Sequence, residues 1–127
     1  MEISIKIDWA DLDLYGHVNN VAFYKYMQSA RIAFCDSVGL SVLNEPNKLS
    51  FILAASECHY KHKLMFPGSI TIVCKVVHIG NTSFHLEYKI VDQNANVAAT
   101  GKDIIVLYDY NNDTKVHIPQ DLKERLV

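Results

Sequence analysis

Two acids and a histidine, Asp11, Asp13 and His17, fall within the decapeptide DLDLYGHVNN at residues 11–20, directly ahead of a long apolar segment. If that segment is a helix, its first-turn N–H groups lack intrahelical partners, and the aligned peptide dipoles leave partial positive charge at its start. Opened into a cleft, such a terminus can hold an anion or a developing oxyanion. A carboxylate or imidazole beside it then supplies a general base or a nucleophile. Gly16 would let a substrate come close to the backbone. Asn19 or Asn20 suits the capping position, and capping alone also accounts for a polar helix entrance. On these residues the chemical reading and the capping reading both stand.

Other chemistries lack their residues. The chain holds no GxSxG elbow, no GxGxxG or P-loop glycine pattern and no HExxH pair. His59 and His62 lie three apart in a strand-like stretch, which puts them on opposite faces and argues against a shared metal; no cofactor or metal is expected. Lys61 and Lys63 could meet phosphates, or could simply be solvated at a strand edge. Twelve Lys and Arg against fourteen Asp and Glu leave a formal charge of −2, without the basic excess that binding to a nucleic-acid backbone requires. The start, MEISIKID, has no leader pattern, and no apolar run approaches membrane-spanning length, so a cytoplasmic protein is expected. Cys35, Cys58 and Cys74 are odd in number and have no CxxC spacing, which fits small buried apolar residues in a reducing compartment.

The elements that would position the decapeptide follow from periodicity. Ile3, Ile5 and Ile7 alternate with Ser4, Lys6 and Asp8 as in a half-buried strand. From Asn20 to about Val38, Phe23, Met27, Ala30 and Phe34 form a stripe at helical spacing, and Gly39 ends it. Val21, Tyr24, Tyr26, Ile32 and Ala33 carry apolar character beyond the stripe, so this helix, about 28 Å long, should be wrapped by other structure. A loop with Asn44, Pro46 and Asn47 follows. Strands are then expected at 51–62, from Ile70 to 78, around Phe84–Ile90, and from Val97 to Tyr108. Gly80-Asn81 and residues 93–96 mark the turns, and Pro119 opens a short terminal helix. One helix and about five strands predict a single α+β domain over residues 1–127, an antiparallel sheet curled around one central helix. A sheet of that size cannot cover a helix on every side, which predicts a homodimer with a ligand cleft between subunits.

The stretch WADLDLYGHVNNVAFYKYMQSARIAF, residues 9–34, resembles the signature of the hotdog-fold thioesterases. It is most similar to the 4-hydroxybenzoyl-CoA thioesterase-like group, which includes the bacterial short acyl-CoA thioesterases of the Tol-Pal cluster. FPGSITIVCKVVHIGNTSFHLEYKI, AATGK and TKVHIPQDLKERL extend the resemblance over essentially the whole chain. It implies hydrolysis of an acyl-CoA or acyl-carrier-protein thioester by a homodimer or homotetramer. Asp13 matches the family's catalytic carboxylate, Gly16 the glycine of the loop entering the helix, and Asn20 the backbone amide that polarises the thioester carbonyl. GHVNN is also similar to plant acyl-carrier-protein thioesterases; Asp13 and His17 match their series, while Tyr15 replaces an asparagine. Phe23, Tyr24, Met27 and Tyr60 are candidates for the acyl wall, and each is equally ordinary core. Gln28 stands where the helix often carries an acid, Phe23 where tyrosine is common, and FPGS lacks the usual aspartate. A non-catalytic acyl-thioester binding module is the alternative, and a hydratase of the same fold would want a His-Asp arrangement that Gln28 and Tyr24 do not supply.

Overall fold

The computed structural model describes residues 1–41 and 49–127, so the loop expected around Asn44, Pro46 and Asn47 lies outside the described residues. The first alternating isoleucines form strand β1, Glu2–Lys6, and a single 3₁₀ turn at Trp9–Asp11 leads through a loop into helix α1, Asn20–Ser37. Four strands follow: β2 (Leu49–Tyr60), β3 (Ser69–Ile79), β4 (Ser83–Asp92) and β5 (Val97–Asp109). A two-residue β6, Thr114–Lys115, and a terminal helix α2, Gln120–Leu126, complete the described chain. The strands lie antiparallel in the order β1-β3-β4-β5-β2, with β6 added to β5. The expected sheet around one central helix is therefore the architecture found. Its sixth strand is too short to leave an alternation in the sequence.

Strand β2 ends two residues earlier than expected. The N–H groups of Lys61 and His62 both donate to the carbonyl of Ala98, at 2.8 and 3.0 Å. Two donors on one acceptor break the spacing of the ladder, so the alternation of faces stops at Tyr60.

Helix α1 lays Phe23, Met27, Ala30 and Phe34 onto the sheet, and all four are buried. Facing them are Ile70 and Ile72 of β3, Phe84 and Ile90 of β4, and Ile105 and Leu107 of β5, all on the inward register of their strands. Leu40 N–H donates to the Cys35 carbonyl and Gly39 N–H to that of Asp36, with Gly39 at φ +89°, which ends the helix in a Schellman motif. The sheet leaves one flank of the helix uncovered, as expected for a sheet of this size. Val21 is 68% exposed, and Tyr24 and Gln28 share its open flank.

Two polar ties fix where the helix lies. Beneath it, Arg31 Nη1 meets Asp103 Oδ2 at 2.8 Å, and the Tyr88 hydroxyl donates to the same oxygen at 2.6 Å. Asp103 is 0% exposed, and its Oδ1 has no hydrogen-bond partner among the described residues. Burial and the adjacent Asp103 carboxylate push the Tyr88 pKa up, so its hydroxyl stays a donor. Near the N-terminal end of α1, buried Asp11 takes the Tyr26 hydroxyl at 2.8 Å and an ion pair from Lys25. Asp11 also closes a capping box with Asp8, and its carbonyl accepts the Asn19 N–H at 2.7 Å. The sequence left Asp11 without a role; it clamps the loop to the helix.

The three cysteines are free, with Cys35 and Cys74 buried and Cys58 half-buried. Burial pushes the Cys35 thiol up to about 12 and the Cys74 thiol up to about 11, which leaves both as inert apolar packing. No described helix is long and apolar enough to cross a membrane.

Removing Arg31 strands a buried carboxylate, so Arg31→Met is expected to cost about 3–5 kcal/mol in urea unfolding. The double variant Arg31→Met/Asp103→Leu should recover much of that loss, because no charge is then left in the core. Asp11 gives a pH-dependent counterpart. Burial works to raise its pKa, but the hydrogen bonds from Lys25, Tyr26 and the Asp8 amide outweigh it and hold the value below 3.8. A depressed carboxyl pKa stabilises the fold above its unfolded value and loses that contribution as pH falls through the folded value. Asp11→Asn should therefore lower the urea midpoint at neutral pH, with the gap to wild type closing as pH drops below 3.8.

Candidate active site

The decapeptide forms a small closed loop. Leu12 and Val18 bridge antiparallel, the His17 backbone bridges Met65, and Val18 N–H donates to the Leu64 carbonyl at 2.9 Å. At the tip, Asp13 N–H donates to the His17 carbonyl at 2.8 Å, and Gly16 N–H returns to the Asp13 carbonyl at 3.2 Å. Gly16 turns the chain at φ +80°, a conformation that any other side chain would strain.

The Asp13 carboxylate is held by backbone. Its Oδ1 accepts the N–H of Tyr15 at 2.8 Å and of His17 at 3.2 Å, while Oδ2 carries no hydrogen bond among the described residues. One oxygen is thus the anchor and the other is left for chemistry. Asn19 is the cap of α1: its Oδ1 accepts the Val21 N–H at 3.0 Å, and its carbonyl accepts that of Ala22 at 2.9 Å. The capping reading is thereby met by Asn19. The N–H of Asn20 has no partner among the described residues, and it stands at the positive end of an 18-residue helix.

Asp13, His17 and Asn20 share a cavity of about 420 Å³ with Phe23, Tyr60 and Lys61. Val18, His62 and Lys63 complete its wall. The Tyr60 hydroxyl donates to the Asn20 carbonyl at 3.3 Å, tying β2 to the first turn of α1, and its ring meets Phe23 edge-on at 5.1 Å. Burial, with Cys58 and Tyr24 nearby, pushes the Tyr60 pKa up and keeps that hydroxyl protonated. Lys61, His62 and Lys63 all reach this cavity because the strand has already ended. The strand alternation had put Lys61 and His62 on opposite faces, and the shared Ala98 acceptor removes that alternation.

Six of the ten expected site residues therefore meet in one place. Gly16 and Asn19 line an adjoining hollow of about 710 Å³ with Trp9, Leu12 and Leu14, and Asp13 belongs to both spaces. Tyr24 lies on the exposed flank of the helix, outside this cavity. Met27 is corrected from wall to core: it is 0% exposed and packs one helical turn below the cavity floor. Sequence reasoning passed over the Arg31–Asp103–Tyr88 tie under the helix. Asp103 did carry a signal, a charge at an inward register position between Gly101 and Ile105. A further hollow of about 480 Å³ lies on the outer face of the sheet. Its floor is a cross-strand row of Lys75, Glu87, Lys102 and Glu57, whose alternating charges balance one another and which offers no helix terminus.

The geometry thus joins a backbone-held carboxylate, an unpartnered first-turn N–H and a cationic rim, an arrangement that can polarise a carbonyl and deliver a base or nucleophile to it. Comparison with known proteins points the same way. The chain is 26% identical to a chloroplastic acyl-acyl carrier protein thioesterase of Arabidopsis thaliana, over 99% of this chain and 67% of the relative. It is 23% identical to the uncharacterized protein YsmA of Bacillus subtilis, over 97% of this chain and 82% of that one. A thioesterase from Thermus thermophilus, crystallised with coenzyme A and Zn, superposes with a TM-score of 0.86 at 26% identity, covering 98% of this chain and 90% of that one. A family model described as the thioesterase-like superfamily matches residues 7–126. The chain belongs to the thioesterase-like superfamily, and that membership supports hydrolysis of a thioester.

Proposed function

We propose that this protein hydrolyses an acyl thioester of coenzyme A or of an acyl carrier protein, in the cavity at the N-terminus of α1. The observation that carries the reading is the juxtaposition of the unbonded Asp13 Oδ2 and the unpartnered Asn20 N–H on the same cavity. The thioester oxygen lies against the Asn20 N–H and the positive end of the helix. Asp13 then either takes a proton from the water that attacks the carbonyl carbon or attacks that carbon itself to give a mixed anhydride, which water opens. In both routes the C–S bond breaks and the thiolate leaves without needing a serine-type triad. His17, on the same wall, is positioned to pass the proton. Lys61 and Lys63 at the rim suit the phosphates shared by coenzyme A and the phosphopantetheine arm of a carrier protein.

The assembly in this reading is a homodimer, or a tetramer of two such dimers, in the cytoplasm. Strand β2 is the last strand on its side of the described sheet and exposes Ile52 and Leu53, and Val21 and Tyr24 lie open on the helix. A second copy is the partner that covers these features symmetrically.

Two substitutions separate the roles. Asp13→Asn should lower kcat on a panel of short, long, branched and aromatic acyl-CoAs by about 10²-fold or more. Asn20→Pro deletes the N–H, together with the carboxamide side chain, at the first helical position, where proline is well tolerated, and Asn19 already has the extended backbone that must precede it. It should cost about 10²–10³-fold in kcat with little change in KM. Equal turnover by wild type and Asp13→Asn would remove the carboxylate from the mechanism. Tight acyl-CoA binding without turnover of any CoA or carrier-linked substrate would favour a sensing module instead.

A further inference from the structure

The histidines of this chain differ in what their rings meet. His59 Nε2 lies 2.7 Å from Glu57, and His62 Nε2 lies 3.9 Å from Asp92. His78 and His85 meet each other instead: their ring centres are 4.8 Å apart at an interplanar angle of 55°, and neither ring makes a hydrogen bond among the described residues. They stand directly opposite on the antiparallel ladder of β3 and β4. Phe84 and Leu86, on either side of His85, are buried against the helix side of the sheet, so the two imidazoles lie on the face turned away from α1. An irregularity makes this opposition. Val76 pairs with Leu86 and His78 with His85, so Val77 is an extra residue on β3. In an unbroken ladder Val77 would stand opposite His85, and His78 would turn inward opposite Phe84. The bulge gives that inward place to Ile79 and sets His78 beside His85.

Directly opposed residues on antiparallel strands have Cβ atoms about 4.5–5.5 Å apart, so both imidazoles can reach one point above the sheet. A metal ion about 2.1 Å from one nitrogen of each ring lies about 3.2 Å from each ring centre. Bond angles at the metal of about 90° to about 109° then put the two centres about 4.5–5.2 Å apart. The separation of 4.8 Å falls in that interval with both strands where they are. We propose that His78 and His85 form a two-imidazole chelate for a first-row divalent transition-metal ion on the outer face of the sheet. Imidazole suits Cu²⁺, Ni²⁺ and Zn²⁺, whereas Mg²⁺ and Ca²⁺ take oxygen ligands. No group of three or more His, Cys, Asp or Glu among the described residues is placed to hold a metal, so water fills the other coordination positions and the ion is exchangeable. Gly80 leaves room for that water: even a Cβ on this residue would stand 3.7 Å from His78 Nε2. The bound ion ties β3 to β4 beside the turn that joins them. This inference is independent of the thioester chemistry proposed above.

The test uses the full chain and Ni²⁺ as the probe. In a titration followed by the histidine side-chain resonances, paramagnetic Ni²⁺ should broaden His78 and His85 ahead of the other histidines. By calorimetry, His78→Gln and His85→Gln should each weaken binding by about 10-fold or more, because the second imidazole binds at a high effective concentration only while the first is in place. His59→Gln should leave the affinity unchanged. In urea, Ni²⁺ or Zn²⁺ should raise the unfolding midpoint of the wild type and of His59→Gln, but not of the His78 or His85 variants, and Mg²⁺ should raise none of them. Broadening centred on His59 or His62, an affinity that neither substitution lowers, or no binding at millimolar Ni²⁺ would overturn the inference. The resonance titration needs only the wild type and decides the matter even if a variant does not fold.

Discussion

An ion pair beneath helix α1, with its carboxylate wholly buried, decides where the N-terminus of that helix sits. Asp103 hangs from the middle of β5, and Arg31 reaches it from the second half of α1, with Tyr88 of β4 closing on the same oxygen. Burying a charge is tolerated only when its partner is in place, so helix and sheet can pack in one axial relation and no other without a heavy electrostatic penalty. The N-terminus of α1 inherits that placement. A shift of one helical turn would carry the Asn20 N–H about 5 Å along the helix axis, out of the cavity it shares with Asp13.

Asp11 makes a second tie at the other end. It accepts from Tyr26 and Lys25 of the helix while its own backbone holds Asn19 and its side chain braces Asp8. Loop and helix therefore move as one body. The Asp13 carboxylate is then two residues from a clamped point, and its anchoring oxygen is satisfied by main-chain donors of the loop. Electrostatic catalysis depends on groups that need no rearrangement when charge develops, and this construction supplies that rigidity from the backbone.

What could be read from the sequence was what repeats locally. The stripe of Phe23, Met27, Ala30 and Phe34, the stop at Gly39 and the alternation of β3 and β4 are periodicities, and each became the element it indicated. The cap was narrowed to Asn19 or Asn20, and the structure divides them into a capping side chain and an unpartnered amide. What escaped depends on partners far along the chain. The end of β2 is set by Ala98, thirty-eight residues beyond Tyr60, and Asp11 is buried by Tyr26 from the next element. Met27 shares its stripe with Phe23, and only its greater depth from the open end makes one core and the other wall.

The Asp13 carboxylate is oriented by main-chain donors and the proposed oxyanion donor is itself main chain, so neither placement depends on a neighbouring side chain. Leu14 and Tyr15, at the tip of the loop, project into solvent and hold nothing in place. Phe23 and Tyr60, which line the cavity beside Asp13, lie on different elements from it. In the proposed reaction, a change in the cavity wall at Phe23 or Tyr60 would therefore leave the anchoring of the Asp13 carboxylate untouched.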